Sequence, residues 1–405
     1  MKKIVIVTPY FWPEISSNVP LVKDLALFLN KNGFNIIILT SRSSKKSKLI
    51  NNINKKQNDK QLFCKLKIFR FYNPFARKPG LINKILDYLL FSIWVNFKII
   101  FIKKIDICYV YSNPPLLALP INIIAKKKKF KTIYDLQDLF PNSARAGGFI
   151  ENNSYIFRFL RSLEARTYET SSVVVTICNS YQRHVSWLAP ASKVKIIHNW
   201  VDINIMKPID KNKNLFLKEN KELENKFIVL YAGVIGYIQD FQVLIKAAQS
   251  LYEIEEIAFV IVGDGPRKSY LLNIIKKLNM KNIYCFDFQP DEYIPYVYNS
   301  ASIGIIPMKG SSDPMPSKTW NYLACGKPVI ILADEDSEIA KLINQIGAGR
   351  AIHCGDYLSL SFGIIELYKN RELRENMGNL GRKYVIENHS KVGCLNQWKE
   401  IIMSL

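Results

Sequence analysis

The residues best suited to chemistry lie in Pro314–Ile330, which reads PMPSKTWNYLACGKPVI. Ser317 is placed as the N-cap of a short helix that ends at Gly326, where glycine can take the left-handed C-terminal conformation. Pro328 then stops the helix and introduces a strand. Free N–H groups at a helix start attract anions, and Lys318 adds a full positive charge there. A diphosphate leaving group, with Pro316, Ser317 and Lys318 around it, would be stabilised without a metal. The plainer alternative is a well-capped structural helix. Two glycine turns argue against it. Strand Ile228–Tyr231 runs into Gly233-Val234-Ile235-Gly236, and Val260–Val262 runs into Gly263-Asp264-Gly265-Pro266. Glycines after a strand let backbone approach phosphate closely, although such turns also serve structure alone.

These residues need elements to hold them. Apolar strand-like runs alternate with helical patterns almost throughout, which predicts parallel α/β architecture. The first series comprises Ile4–Val7, Asn35–Thr40, Ile107–Tyr111, Lys131–Tyr134 and Val173–Ile177, with a helix near Val19–Lys31. The second comprises Phe227–Tyr231, Ala258–Val262, Asn282–Phe286, Ser302–Ile306 and Pro328–Leu332. A charged join at Asp202–Lys226 separates them, so the chain reads as two doubly wound, Rossmann-like domains. The expected divisions are 1–203, 204–383 and a terminal helix over 384–405. Doubly wound sheets bind ligands at the carboxyl ends of their strands, which predicts a cleft between paired domains. Residues 82–101 place apolar side chains on one wide helical face. That helix either packs on the first sheet or lies in a membrane interface, helped by Trp94, Lys103 and Lys104.

Charge is lopsided. The chain carries 56 Lys and Arg against 34 Asp and Glu, a formal balance of +22. Residues 1–132 hold 25 of those basic residues and 5 acidic ones. A basic first domain beside a nearly neutral second one suggests that the first meets an anionic surface. No zinc-finger spacing, recognition helix or stacking motif accompanies the lysines, so nucleic acid is not the expected partner. Lys45, Lys46, Lys48, Lys55, Lys56 and Lys60 read as a basic loop that is either solvated or surface-binding. Seven scattered cysteines without a CxxC pair fit a reducing compartment and no structural zinc. The opening run MKKIVIVTPY reads as a strand rather than a secretory signal, and no apolar stretch reaches membrane-span length. A cytoplasmic protein, peripheral at the inner face of the plasma membrane, is expected.

With YAGVIG, IVGDGP, the Asp287–Pro290 turn that includes Phe288, and SKTWNYLACGKPV in this order, the second half resembles the retaining glycosyltransferases of the GT4 family, which have the GT-B fold. TPYFWPE and NWVD at Asn199–Asp202 extend the likeness over nearly the whole chain, and DLQDLFPNS narrows it to polysaccharide-building members. That subgroup makes O-antigen or capsule and includes N-acetyl-L-fucosaminyltransferases. The resemblance implies nucleotide-sugar contacts from Gly233, Gly236, Gln239, Gly263, Phe288, Pro316, Ser317, Lys318 and Asn321. It implies acceptor contacts from Pro13, Glu14, Ser16 and Ser17, and reacting-centre roles for Lys318, Asp313 and Asp138. The sequence departs from the family in three respects. The usual paired glutamates fall on Asp313 and Asn321, and uncharged residues such as Ile235 and Gln239 replace the Arg and Lys after the glycine loop. A frequent Gly-Gly has become Ser16-Ser17.

The implied reaction moves a sugar, such as an N-acetylated amino sugar, from a UDP-sugar to an undecaprenyl-diphosphate-linked glycan with retention. No cofactor or metal is expected, because in this family the departing phosphate can itself take the acceptor proton. Catalysis would rest on positioning and on charge stabilisation at the leaving oxygen. His184 and His198 are the alternative bases. Two other readings remain open: a GT-B sugar-nucleotide epimerase, which would need acid/base residues that four histidines hardly supply, and a non-catalytic subunit of a membrane glycosyltransferase complex.

Overall fold

A computed structural model describes residues 2–14, 16, 18–41, 66–72, 81–146, 150–151, 154–189, 193–309 and 315–405. Ser17, Asp313 and the six lysines of the basic loop lie outside the described residues. Two compact units form, Met1–His198 with Cys394–Leu405, and Asn199–Gly393.

The first unit runs β1 (Lys3–Val7), α1 (Val19–Lys31), β2 (Asn35–Ser41), β3 (Lys67–Phe71), α2 (Leu81–Phe101), β4 (Ile107–Tyr111) and α3 (Ala118–Lys128). It continues with β5 (Lys131–Leu136), α4 (Asn142–Ala146), α5 (Tyr155–Thr170), β6 (Val173–Thr176), α6 (Asn179–Leu188) and β7 (Val194–Ile196). Its strands pair in parallel in the order β3-β2-β1-β4-β5-β6-β7. Strands β1, β2 and β4 are buried almost end to end. Their Ile- and Val-rich runs therefore suit a sheet covered on both faces. β3 was not anticipated. Its KIFRF mixes charged with apolar residues at a sheet edge, where only part of the strand is covered.

The second unit runs α7 (Leu215–Glu219), β8 (Phe227–Ala232), α8 (Phe241–Ser250), β9 (Ile257–Val262), α9 (Lys268–Lys277), β10 (Ile283–Phe286) and α10 (Ile294–Ser300). There follow β11 (Ile303–Pro307), α11 (Lys318–Ala324), β12 (Val329–Leu332), α12 (Glu338–Ile346), β13 (Gly349–Ile352), α13 (Tyr357–Lys369) and α14 (Arg371–Asn388). The parallel order is β10-β9-β8-β11-β12-β13. The charged join does not run free. Phe216, Leu217 and Leu223 are buried, and the buried Asn214 donates from Nδ2 to the Tyr296 carbonyl at 2.8 Å. Its apolar residues are spaced among lysines and glutamates, which hid their packing role.

The single helix expected over 384–405 is two. α14 ends at Asn388, and α15 (Lys391–Ser404) begins after the buried His389. The Trp398 ring of α15 meets Tyr109 of β4 edge-on at 5.4 Å, and Lys2 Nζ donates to the Ile402 carbonyl at 3.0 Å.

Candidate functional site

In the second sheet the chain moves outward from β8 to β9 and β10, then returns to β11 on the other side of β8. The switch point between β8 and β11 is where a doubly wound sheet leaves a crevice at its carboxyl edge. The turn after β8 holds Gly233, the turn after β9 holds Gly263, and Lys318 arrives on the segment after β11.

Lys318 bends back over the β8 turn. Its Nζ donates to the Tyr231 hydroxyl at 2.7 Å and lies 4.5 Å from the centre of that ring. The same hydroxyl donates to the Val234 carbonyl at 2.5 Å, so its lone pair is turned to the ammonium. Gly233 makes room: a Cβ there would stand 2.2 Å from Lys318 Cε, at a φ of +143° that L side chains rarely adopt. Among the described residues no carboxylate pairs with Lys318. Burial pushes its ammonium down to about 8. Such a half-buried cation, with no counter-charge among the described residues, has the chemistry to receive an anion.

Two expectations for this segment are corrected. Ser317 sits in helical geometry, φ −57° and ψ −24°, and its side chain makes no capping bond. An N-cap needs extended backbone to aim its oxygen at the next N–H groups. Thr319 N–H instead reaches the Pro316 carbonyl at 3.0 Å. Lys318, expected to bring a full positive charge to the helix start, is largely desolvated. Gly326 does close α11 with φ +69°, and the Lys327 N–H bonds the Tyr322 carbonyl across the helix end.

α11 is fixed to the sheet by Tyr322, which sequence reasoning passed over. Its hydroxyl donates to the Leu230 carbonyl at 2.8 Å and accepts from the Ala232 N–H at 3.0 Å. Its ring fills the space that a Cβ at Gly304 of β11 would need. A buried aromatic in a helical motif gives no sequence sign that its polar end is spent on β8. Asn321, the residue before Tyr322, hydrogen-bonds the buried Tyr298 hydroxyl. The glycine turns also serve one another. A Cβ on Gly263 would lie 1.9 Å from the Gly233 carbonyl, and one on Gly265 would lie 2.3 Å from that of Ile235. Gln239 Oε1 accepts from the Gly236 N–H at 3.0 Å, closing the first turn on itself. Phe288 is about half exposed beside Asp287, which pairs with Lys268. Pro316 is half-buried and Ser317 exposed.

The first unit has its own switch point, between β1 and β4. The loop after β1 carries Pro13, Glu14 and Ser16. Glu14 is buried and electrostatically coupled to Arg70, whose Nη2 donates to the Trp12 carbonyl at 2.5 Å. Asp138, after β5, is raised above the usual carboxylate range by desolvation, opposed by hydrogen bonds from Ser143 and the Leu139 N–H and by Lys84. Tyr88 of α2 joins this group, hydrogen-bonding Asn113 and feeling the charge of Asp138. Asp135 lies beneath, wholly buried, accepting from Tyr109 Oη and from Gln137 Nε2 at 2.8 Å. Burial raises it to about 6. The two histidines serve structure: His184 meets the buried Glu164 at 3.1 Å, and His198 Nδ1 meets the Ile177 carbonyl at 2.7 Å.

Residues 212–384 match the family described as glycosyl transferases group 1. The probable glycosyltransferase WbjE of Pseudomonas aeruginosa is 22% identical, over 83% of this chain and 84% of that protein. The putative colanic acid biosynthesis glycosyl transferase WcaI of Escherichia coli K12 is 25% identical, over 56% of this chain and 58% of its own length. Among solved structures, HepE of Anabaena in complex with UDP and glucose matches with a TM-score of 0.74 over the whole of both chains, at 16% identity. WaaG, a glycosyltransferase involved in lipopolysaccharide biosynthesis, matches with a TM-score of 0.69 at 13% identity, covering 98% of this chain and 99% of its own. The two parallel-sheet α/β units are those of the GT-B fold, as the strand pattern and motifs predicted. Over residues 212–384 the chain is thus similar to the glycosyl transferases of group 1.

Proposed function

We propose that the chain transfers a glycosyl group from a UDP-sugar to a lipid-linked glycan, with retention, in the building of a surface polysaccharide. The observation that supports this reading most is Lys318, an ammonium against the Gly233 turn with no carboxylate partner among the described residues. The diphosphate of a nucleotide sugar supplies the missing negative charge. As the glycosidic bond to the diphosphate breaks, charge grows on the leaving oxygen, and the ammonium contact strengthens with it. The departing phosphate oxygen takes the proton of the acceptor hydroxyl, so no side-chain nucleophile is required. Gly233 and Gly236 let the backbone approach the phosphates closely, Asn321 offers an amide to the ribose, and Asp313 accepts from donor-sugar hydroxyls. Pro13, Glu14, Ser16, Ser17 and Asp138 belong to the acceptor side. UDP is favoured by the HepE complex and by the resemblance to transferases of N-acetylated amino sugars such as N-acetyl-L-fucosamine.

The test is a panel of UDP-, GDP- and dTDP-sugars scored for thermal stabilisation and slow donor hydrolysis. UDP-sugars should stabilise and be hydrolysed, and the anomeric configuration of the product should match the donor. A folded protein that neither binds nor hydrolyses any of them refutes the reading. Release of an epimerised donor without acceptor would make the chain an isomerase instead.

A further inference from the structure

In the first sheet, β1 to β2 to β3 runs one way and β4 to β5 to β6 to β7 runs the other. Right-handed crossovers place the connecting helices of the two runs on opposite faces. α2, α3, α5 and α6 form one layer, each packed on the next, while α1 covers the other side. The large apolar side chains left in solvent are distributed very unevenly between these layers. On α2, residues Ile82, Ile85, Leu89, Ile93, Phe97, Ile100 and Phe101 are each 48–74% exposed. Their spacing of three and four makes one stripe, roughly opposite the buried Phe91, Val95 and Ile99. The sequence posed packing on the sheet and lying in an interface as alternatives for this helix. Its two faces serve the first and leave the second open. Neighbouring helices extend the same surface with Ile123 on α3, Tyr155, Ile156 and Phe159 on α5, and Trp187 on α6. Among the described residues of α1, no large apolar side chain is exposed.

The stripe alone spans about 28 Å at 1.5 Å per residue. Seven side chains, each leaving on the order of 100 Å², exceed the roughly 300–600 Å² of the largest apolar patch on a typical monomer. Its surroundings are basic. Lys128 Nζ donates to the carbonyls of Ile99, Ile100 and Ile102 at 2.8–3.0 Å, binding the α3 lysine run to the end of α2. Lys126, Lys127, Lys129, Lys103 and Lys104 are exposed around that end. Apolar side chains with a rim of lysines complement an anionic lipid surface, which accepts the first below its headgroups and the second among them.

We propose that the α2–α3–α5–α6 layer docks on an anionic bilayer, with the α2 stripe entering the headgroup–acyl boundary. The inference rests on the proposed acceptor only in motive, because a lipid-linked glycan presents its sugar at such a surface. Flotation with vesicles of phosphatidylcholine and about one-third phosphatidylglycerol tests it on the full chain. The wild type should float with anionic vesicles and much less with neutral ones. Ile93→Glu/Phe97→Glu alters exposed positions only, so it should fold and lose binding at least tenfold. Lys103→Glu/Lys104→Glu should weaken binding by about fivefold or more per residue and respond less to salt. Absence of wild-type binding, or unaltered binding by the stripe variant, overturns the proposal. So does a vesicle-free dimer that the stripe variant dissociates, since the face would then belong to a second copy. Donor hydrolysis without vesicles, measured in parallel, distinguishes a loss of docking from a loss of catalysis.

Discussion

Replacing Lys318 by Ala removes a cation for which the described residues supply no carboxylate, so the loss should fall on the bound anion rather than on the fold. Two unit charges about 4 Å apart at an effective dielectric near 20 interact by about 4 kcal/mol. Losing a donor to a developing oxyanion costs about 100- to 1000-fold, or about 2.7–4 kcal/mol. Turnover should therefore fall by roughly that factor, with a smaller loss of UDP affinity. A pH profile adds a signature. The ammonium titrates near 8 in the free protein, so wild-type kcat/KM should fall about tenfold per unit above that pH. Lys318→Ala should be flat in the same window. Stability behaves oppositely. The folded value lies below the unfolded 10.5, so between about 8 and 10.5 the folded state binds fewer protons and stability rises with pH. Below 8 the full desolvation penalty is present, and Lys318→Met should leave the ligand-free Tm unchanged or higher. Lys318→Arg should recover only part of the rate, because the Gly233 backbone leaves no width for a planar fork. Near wild-type transfer by a folded Lys318→Ala protein would refute the phosphate site.

Gly233→Ala sets a Cβ against Lys318 Cε; its rate should approach that of Lys318→Ala, and combining the two should cost little more. Tyr322→Phe strands the buried Ala232 N–H, so chemical denaturation should show a loss of about 1–3 kcal/mol. Asp313→Ala should reduce transfer while calorimetry finds UDP affinity nearly unchanged; a parallel loss of UDP binding would move that residue to the nucleotide. Asp135 is raised from 3.8 to about 6, so it favours folding at low pH and loses that contribution, on the order of 3 kcal/mol, as pH climbs from 4 to 6. Asp135→Asn should accordingly gain Tm relative to wild type between pH 4.5 and 7.

What could be read from the chain depended on how local each signal was. Apolar runs such as IVIV in β1 and FVIV in β9 need both faces covered, so they announce a parallel sheet wherever they occur. Lys67–Phe71, Val194–Ile196 and Gly349–Ile352 escaped, because edge or terminal strands of three to five residues lack that run. The glycine turns and Lys318 were legible as types, yet their meeting was not. Residues 233 and 318 touch only because β11 returns beside β8 after two strands on the other side. For the same reason Tyr231 and Tyr322 gave no signal: only the pairing of β8 with β11 brings the Tyr231 hydroxyl to Lys318 and the Tyr322 hydroxyl to the β8 backbone. Ser317 failed for the opposite reason, a correct local preference overruled by the fold. Once Tyr322 holds α11 against β8, the preceding backbone enters in helical rather than extended geometry. Position 317 then makes no capping bond, and in the proposed site the anion meets the ammonium of the next residue. The pH profile of Lys318 is therefore the measurement that separates the proposed site from a dipole-based one. A phosphate held chiefly by backbone N–H groups would show no titration near 8.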